Sequence, residues 1–378
     1  MKIKTVTVEG LFGNTETLFL KFNSDLNILT GRNGSGKTTL LKLIWCILSG
    51  NIIHALREVN FRTCEIVTDK YKCKVIRTGS VHCKVELEID GKAMTFEDDD
   101  IDGQLENPFE DSAEDKAGPY LIENGSSIFF PTFRRIEGGF SLPGAEKNGT
   151  FINIRRTGSE VNDALSALSK RLTNAEHVFV AAISTQDINS LLLRRYASFS
   201  EEVSSFQQEV SKTVIEKIRA YETTQGSTQG STQGSIQDAE AILSETREEI
   251  EKIEGFRRET MQPLTAVREL VELLFRHSGI SFGRRLSFGD AAEAINSDQL
   301  SAGEKQMLSF ICYNAFHTNS VIVIDEPELS LHVDWQRQLY SILNSQQSTN
   351  QFIFATHSPF IYGKYPDKEV VIDIDRGE

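Results

Sequence analysis

Three features of the sequence predict an α/β fold: a parallel core sheet with an antiparallel β subdomain and an inserted helical arm. Leu26-Asn27-Ile28-Leu29 reads as a short strand that enters a glycine-rich loop, and Thr39 to Leu48 reads as a buried helix that leaves it, stopped near Gly50. Val321-Ile322-Val323-Ile324 and Phe352-Ile353-Phe354-Ala355 are apolar without alternation, which suits parallel strands covered on both faces. From about residue 158 to 279 the apolar residues recur at helical spacing instead. The expected division is therefore 1–157 for the first part of a head, 158–279 for a helical insertion, and 280–378 for the second part of the head.

The chain has 378 residues, enough for two domains or for one large domain with an insertion. A hydrophobic share of 39% with 25% charged residues excludes a disordered or fibrous chain. No apolar run reaches the length of a bilayer span and the N-terminus has no signal-peptide pattern, so no membrane partner is expected. Cys46, Cys64, Cys73, Cys83 and Cys312 are odd in number and form no C-x-x-C pair. They point to a reducing cytoplasm rather than to disulfides or structural zinc. The net charge of −14 counts against DNA as the main ligand, because nucleic-acid binders carry a basic surface.

Taken in order, residues 1–30 read as antiparallel strands that feed the loop. Ile3, Val6 and Val8 form one apolar run; Leu18, Leu20 and Phe22 alternate along another. Val81 to Ile89 is the best strand of the next stretch, and Asp90-Gly91 turns the chain back. The acidic run Glu97 to Asp102 reads as a solvated loop rather than a metal site. Ser127 to Pro131 reads as a further strand. In the arm, Val203, Phe206, Val210 and Thr213 share one helix face, as do Ile236, Ala239, Leu243, Thr246, Ile250 and Ile253. Between them lies a three-fold Thr-Gln-Gly-Ser repeat, Thr224 to Ser235, whose composition builds no core. Two helices running out and back, with the repeat at the tip, are expected. Short strands are predicted at Ile280 to Phe282 and Arg285 to Phe288, a helix from Ser301, and a last strand at Val370 to Ile372.

The chemistry starts at Gly31-Arg32-Asn33-Gly34-Ser35-Gly36-Lys37-Thr38, which fits G-x-x-x-x-G-K-[ST]. Glycines let successive N–H groups curl around a phosphate chain without Cβ clashes, and the helix N-terminus behind them favours an anion. Asn33, Gly34, Ser35, Gly36 and Thr39 would line the phosphates of a nucleoside triphosphate. Lys37 would neutralise the β- and γ-phosphates, and the Thr38 hydroxyl would take a place on Mg2+. ATP and Mg2+ are the expected ligands. Asp325 and Glu326 end the first apolar strand, where a parallel sheet presents its ligand-binding edge. Asp325 would hold Mg2+ through water, and Glu326 would act as general base on the attacking water.

Leu300-Ser301-Ala302-Gly303-Glu304-Lys305-Gln306 begins a helix with a capping box, Ser301 to Glu304. These residues also resemble the signature motif of ABC-type ATPases. That resemblance implies that Ser301, Gly303 and Lys305 touch the γ-phosphate of a nucleotide held on another subunit's phosphate loop. His357, in Phe354-Ala355-Thr356-His357-Ser358-Pro359, matches the family's switch histidine and by that match contacts the γ-phosphate. With four motifs in the family's order, the fold implied is an ABC-type P-loop ATPase head. The run Asp325-Glu326-Pro327-Glu328-Leu329-Ser330-Leu331-His332 and the helical interruption look like the SMC-like and RecF-like branch, and within it OLD-type defence ATPases. Transport ATPases usually carry Asp where this chain has His332. Two departures stand out. No Q-loop glutamine is found, and Phe130-Pro131-Thr132-Phe133-Arg134-Arg135 occupies about its place. OLD proteins continue into a Toprim nuclease, whereas none is visible between His357 and Glu378.

The resemblance implies a head-to-head homodimer, or a higher homo-oligomer, hydrolysing ATP at composite sites. The role expected is that of a sensor or scaffold in prokaryotic defence, acting with a separate effector such as a nuclease. One rival is a RecF-like repair ATPase that clamps duplex DNA through Arg134, Arg135, Arg155, Arg156, Arg194, Arg195, Arg284 and Arg285. The other is an ATP-gated interaction module without turnover.

Overall fold

The computed structural model describes residues 1–98, 112–132, 134–136, 155–183, 185–225, 232–274 and 300–372. It divides into two compact units, Met1–Thr185 together with Asp298–Glu378, and Gln186–Ser297. The second unit thus starts at Gln186, later than the composition change at residue 158, because helix α4 (Arg155–Leu172) packs against strands of the first.

In the first unit, β1 (Ile3–Glu9), β2 (Thr17–Lys21), β4 (Thr63–Thr68), β5 (Tyr71–Arg77), β6 (Cys83–Ile89) and β7 (Lys92–Glu97) form an antiparallel sheet in the order β2-β1-β4-β5-β6-β7. Its alternation is the sequence's own: in β6, Cys83, Val85 and Leu87 are buried and the residues between them are not. Asp90 and Gly91, both with positive φ (51° and 76°), turn β6 into β7 as a type I′ hairpin requires. Asp98 ends this sheet and accepts hydrogen bonds from Cys83 N (2.8 Å) and Ala113 N (2.6 Å), tying helix α3 (Ala113–Glu123) to β6. The rest of the acidic run, Asp99 to Asp102, lies outside the described residues.

The second sheet is parallel throughout. β3 (Leu26–Thr30), β8 (Ser127–Phe130), β10 (His177–Phe179), β12 (Val321–Asp325), β13 (Gln351–Ala355) and β14 (Glu369–Val371) lie in the order β10-β8-β12-β13-β3-β14. Every residue of β3, β12 and β13 is buried, as their unbroken apolar runs require. β10 corrects the helical reading of 158–279. Val178 to Ile183 is an apolar run that feeds β10 and the short β11 (Ala182–Ile183), and β10 pairs with β8 in parallel. Phe179 is held there because its ring packs 5.2 Å from Trp45 and 5.7 Å from Phe129.

Helix α1 (Lys37–Leu48) is apolar on nearly every side, and it shares one core cluster with residues of both sheets. Leu40, Leu41, Leu43, Ile44, Trp45, Ile47 and Leu48 are fully enclosed. The helix that carries the phosphate loop is thereby fixed in the middle of the unit. Trp45→Ala should remove about 3–5 kcal/mol of stability through the cavity left between Phe129 and Phe179. Urea denaturation measures this, and Trp45→Phe should lose far less.

The second unit contains α5 (Thr185–Gln225) and α6 (Thr232–Leu274). They run antiparallel: Phe206 stacks on Phe256 at 4.2 Å and Lys217 bonds Glu245 at 3.1 Å, so moving outward along α5 is moving back along α6. Both helices extend into the ends of the Thr-Gln-Gly-Ser repeat; residues 226–231 lie outside the described set. The inner stripe of α6 differs from the expected one. Leu243 and Ile250 are 70% and 53% exposed, and the chain turns Thr246, Glu249, Ile253 and Phe256 inward. Glu249 takes the inner place of Ile250, with its carboxylate bonded to Lys252 (3.0 Å). The strands expected at Ile280 to Phe282 and Arg285 to Phe288 lie outside the described residues. Among the described residues no helix is long and apolar enough to cross a membrane.

Candidate functional site

Three adjacent parallel strands bring the site together. In register, Asp325 at the end of β12 lies beside Ala355 of β13, and Ala355 lies beside Leu29 of β3. The chain segments that leave these strands, the acidic pair, the His357 turn and the glycine loop, therefore emerge side by side at one sheet edge, where open parallel sheets bind ligands. The resulting cleft of about 370 Å³ is lined by Asn33, Gly34, Gly36, Lys37, Thr38, Thr39, Glu326 and His357.

The loop owes its shape to its glycines. Gly34 and Gly36 have φ of 83° and 91°, and Gly36 is the residue from which α1 starts. At Gly31 a Cβ would overlap the Ile372 carbonyl oxygen, since the segment after β14 bonds back to β3 through Ile372 N to Thr30 O (2.8 Å). Ser35 is buried outside the cleft lining, and its hydroxyl has no partner among the described residues. Lys37 donates to the carbonyls of Gly31 and Arg32, both at 3.1 Å. Burial lowers its pKa, and the Glu326, Asp325 and Glu328 carboxylates oppose that.

Asp325 is 1% exposed and bonds the hydroxyls of Thr132 and Thr38. Burial raises its pKa against those hydrogen bonds and the Arg134 charge. Glu326 adopts left-handed backbone (φ 47°), with its N–H donating to Ala355 O at 2.8 Å. Its pKa is raised by burial and by the neighbouring Asp325 and Glu328 charges, while His357 and Lys37 pull it down.

Several contributors were not assigned their roles from the sequence. Thr132 follows β8 where a Q-loop glutamine was sought, and it is its hydroxyl that reaches Asp325. Arg134 corrects an expectation. It was a candidate DNA contact, yet its guanidinium donates to Pro131 O (2.8 Å), Asp325 O (2.8 Å) and Glu326 O (3.1 Å) and lies over the Phe310 ring at 5.7 Å. Burial lowers its pKa to about 10. Of the other arginines, Arg194 is exposed and Arg195 half-buried on α5; Arg284 and Arg285 and the side chains of Arg135, Arg155 and Arg156 lie outside the described residues. Glu328 Oε1 accepts from His357 N (2.8 Å) and Ser358 N (3.1 Å), fixing the turn that carries His357. Only the repeated carboxylate of Asp325-Glu326-Pro327-Glu328 hinted at this.

The remaining expected residues sit elsewhere. Ser301 is exposed and caps the helix Ala302–Phe316: its hydroxyl accepts from Glu304 N (3.3 Å) while Glu304 accepts from Ser301 N (2.7 Å). Gly303 is where a Cβ would overlap the Ser330 carbonyl oxygen, so the first turn of this helix lies directly on the loop after β12. Gln306 Nε2 joins the two again through Pro327 O at 2.9 Å. Lys305 is only 4% exposed. Neither Ser301, Gly303 nor Lys305 lines the cleft of its own chain.

Residues 26–362, from the strand before the glycine loop to the turn after His357, match the family described as "AAA domain, putative AbiEii toxin, Type IV TA system". The chain belongs to that AAA-domain family. Among solved structures, this AAA-domain chain is similar to the Smc head domain with an extended coiled coil bound to the C-terminal domain of ScpA from Pyrococcus furiosus. Identity is 12%, with 99% of this chain and 94% of that one covered and a TM-score of 0.39. The Smc head domain with a coiled coil and joint from Pyrococcus yayanosii gives 12% identity, 100% and 96% coverage and a TM-score of 0.42. At such scores the fold assignment stands on the strand order itself, a parallel core sheet beside an antiparallel one.

Proposed function

We propose that this AAA-domain protein binds and hydrolyses ATP as an ABC-type, SMC-like head that closes on a second copy of itself. The observation that carries the proposal is the cleft in which Asn33, Gly34, Gly36, Lys37, Thr38 and Thr39 meet Glu326 and His357. The cradle fits a triphosphate: two glycines with positive φ open the loop backbone, and Lys37 waits on carbonyl oxygens that a phosphate would replace. The donor set beside it fits Mg2+, since Thr38, Thr132 and Asp325 supply only oxygen. Thr38 and Asp325 would hold the ion, which when bound neutralises charge on the phosphates.

Within that arrangement, the loop N–H groups and Lys37 bind the β- and γ-phosphates, and His357 hydrogen-bonds the γ-phosphate. Glu326 accepts the proton of the attacking water. Its raised pKa makes it a stronger base than an open glutamate. Ser301 and Gly303, which do not line their own cleft, complete the site of the partner copy. The family description names a toxin of a toxin–antitoxin system. Together with the OLD-like sequence run, that supports a cytoplasmic sensor or scaffold in defence that acts through a separate effector, such as a nuclease.

Mixing two inactive variants tests the composite site. Lys37→Ala removes one half and Ser301→Arg blocks the other by bulk at the γ-phosphate. Each alone should be inactive, and mixed heterodimers should regain up to about half of wild-type turnover per dimer, from their one intact site. No recovery from a mixture whose heterodimers are demonstrated by light scattering and tag capture would contradict independent composite sites.

A further inference from the structure

We infer that Arg134 is a positioning residue that holds the catalytic carboxylate in place through the main chain of the acidic pair. The inference rests on the ATPase reading above. Glu326 has the φ of 47° that a non-glycine residue adopts reluctantly, so something must hold it there. One constraint is its own N–H on Ala355 O; a second is its carbonyl, which accepts from Leu329 N at 3.2 Å. The guanidinium of Arg134 supplies the remaining grip: one nitrogen donates to Asp325 O and Pro131 O, the other to Glu326 O. A planar fork suits this task, because two carbonyls of successive residues are bound by one rigid group. The fork is itself kept in place by Phe310, which packs edge-on against Phe130 at 4.9 Å.

The arrangement is costly to bury without a purpose. Arg134 Nε is buried with no partner among the described residues, and its half-buried charge lies beside Asp325, Glu326 and Glu328 with no side-chain hydrogen bond to any of them among the described residues. Among the described residues its hydrogen bonds all go to backbone oxygen. A side chain selected to neutralise the acidic cluster would bond carboxylates. This one bonds the carbonyls that define how the chain leaves β12. Arg134 does not itself line the cleft, and of the lining residues it is Glu326 whose carbonyl it bonds. Its effect must therefore pass through Glu326, and it belongs to turnover rather than to nucleotide affinity.

Arg134→Lys tests this, because an ammonium keeps the charge and most of the volume but lacks the fork. Arg134→Gln, with no charge, serves as a second variant. Wild type and variants are compared by steady-state hydrolysis, by binding of a fluorescent ATP analogue, and by amide hydrogen exchange of the nucleotide-free protein. The expected result for Arg134→Lys is a fall in kcat of about 10- to 100-fold, as for a misplaced catalytic group. Nucleotide affinity should stay within about two-fold of wild type, and exchange should rise over Ile324 to Leu331 while the remainder of the first unit is unchanged. In a Glu326→Gln background, Arg134→Lys should cause no further loss of turnover, since the group it positions is already disabled. An equal loss in both backgrounds, weakened nucleotide binding with kcat retained, or exchange raised throughout the first unit would overturn the inference. The two readings fail separately. A wild-type protein without turnover removes the ATPase reading, whereas unchanged exchange over Ile324 to Leu331 in both variants removes the role of Arg134 whatever the activity.

Discussion

Lys37→Ala binds ATP at least about 100-fold more weakly than wild type, while its thermal unfolding stays near that of wild type. Hydrogen bonds to charged groups contribute about 1.5–3 kcal/mol each, and the ammonium makes more than one to the β- and γ-phosphates, so a loss of two or three orders of magnitude follows. The fold is spared because, among the described residues, the side chain bonds just two loop carbonyls, Gly31 O and Arg32 O, and the backbone of α1 is packed by Leu40 to Leu48. Removing a half-desolvated charge even offsets part of the lost contact. Calorimetric titration with ATP and a melting curve on the same sample check both halves. Near-normal affinity would remove the glycine loop as the nucleotide site.

Glu326→Gln has the opposite signature. It should bind ATP about as well as wild type and hydrolyse it at least about 100-fold more slowly, because the amide keeps the shape but cannot take the water's proton. The backbone constraints on this residue, the bond to Ala355 O and the fork of Arg134, do not depend on the carboxylate. Geometry is thus retained while chemistry is lost. With hydrolysis blocked, the ATP-bound pair of chains accumulates and is visible by light scattering. Unchanged turnover would show that another group is the base, with His357 the nearest alternative in the cleft.

How much of this was legible beforehand follows from the range of each signal. The glycine loop, β12 and β13 were readable because their residues are adjacent in sequence and serve one local conformation. Loop glycines take positive φ, and strands buried on both faces are uniformly apolar. β10 was not readable, because it is short and its burial depends on Trp45 and Phe129, which are distant in sequence. The helical arm was recognisable as two helices, and Thr246 and Ile253 of the expected α6 stripe do turn inward, yet Leu243 and Ile250 do not. Leu243 and Ile250 are apolar and exposed, and hydrophobicity alone cannot tell an inner position from a tolerated outer one. At the site, Lys37, Thr38, Asp325, Glu326 and His357 were named from motifs. Thr132, Arg134 and Glu328 were not assigned these roles, because their partners are carbonyls, a carboxylate and backbone N–H groups that only folding brings within reach. Lys305 was also named from a motif, and its side chain is 4% exposed in the folded chain.

The central claim is that a complete catalytic site needs two chains, the cleft of one and Ser301 and Gly303 of the other. It is tested most directly by the ATPase rate per chain over a dilution series of wild-type protein, with mass measured at each concentration. A composite site predicts that the rate per chain falls as the ATP-bound dimer dissociates, in step with the mass. A rate per chain that stays constant in samples shown to be monomeric would place the whole site in one chain and leave Ser301 as a helix cap alone.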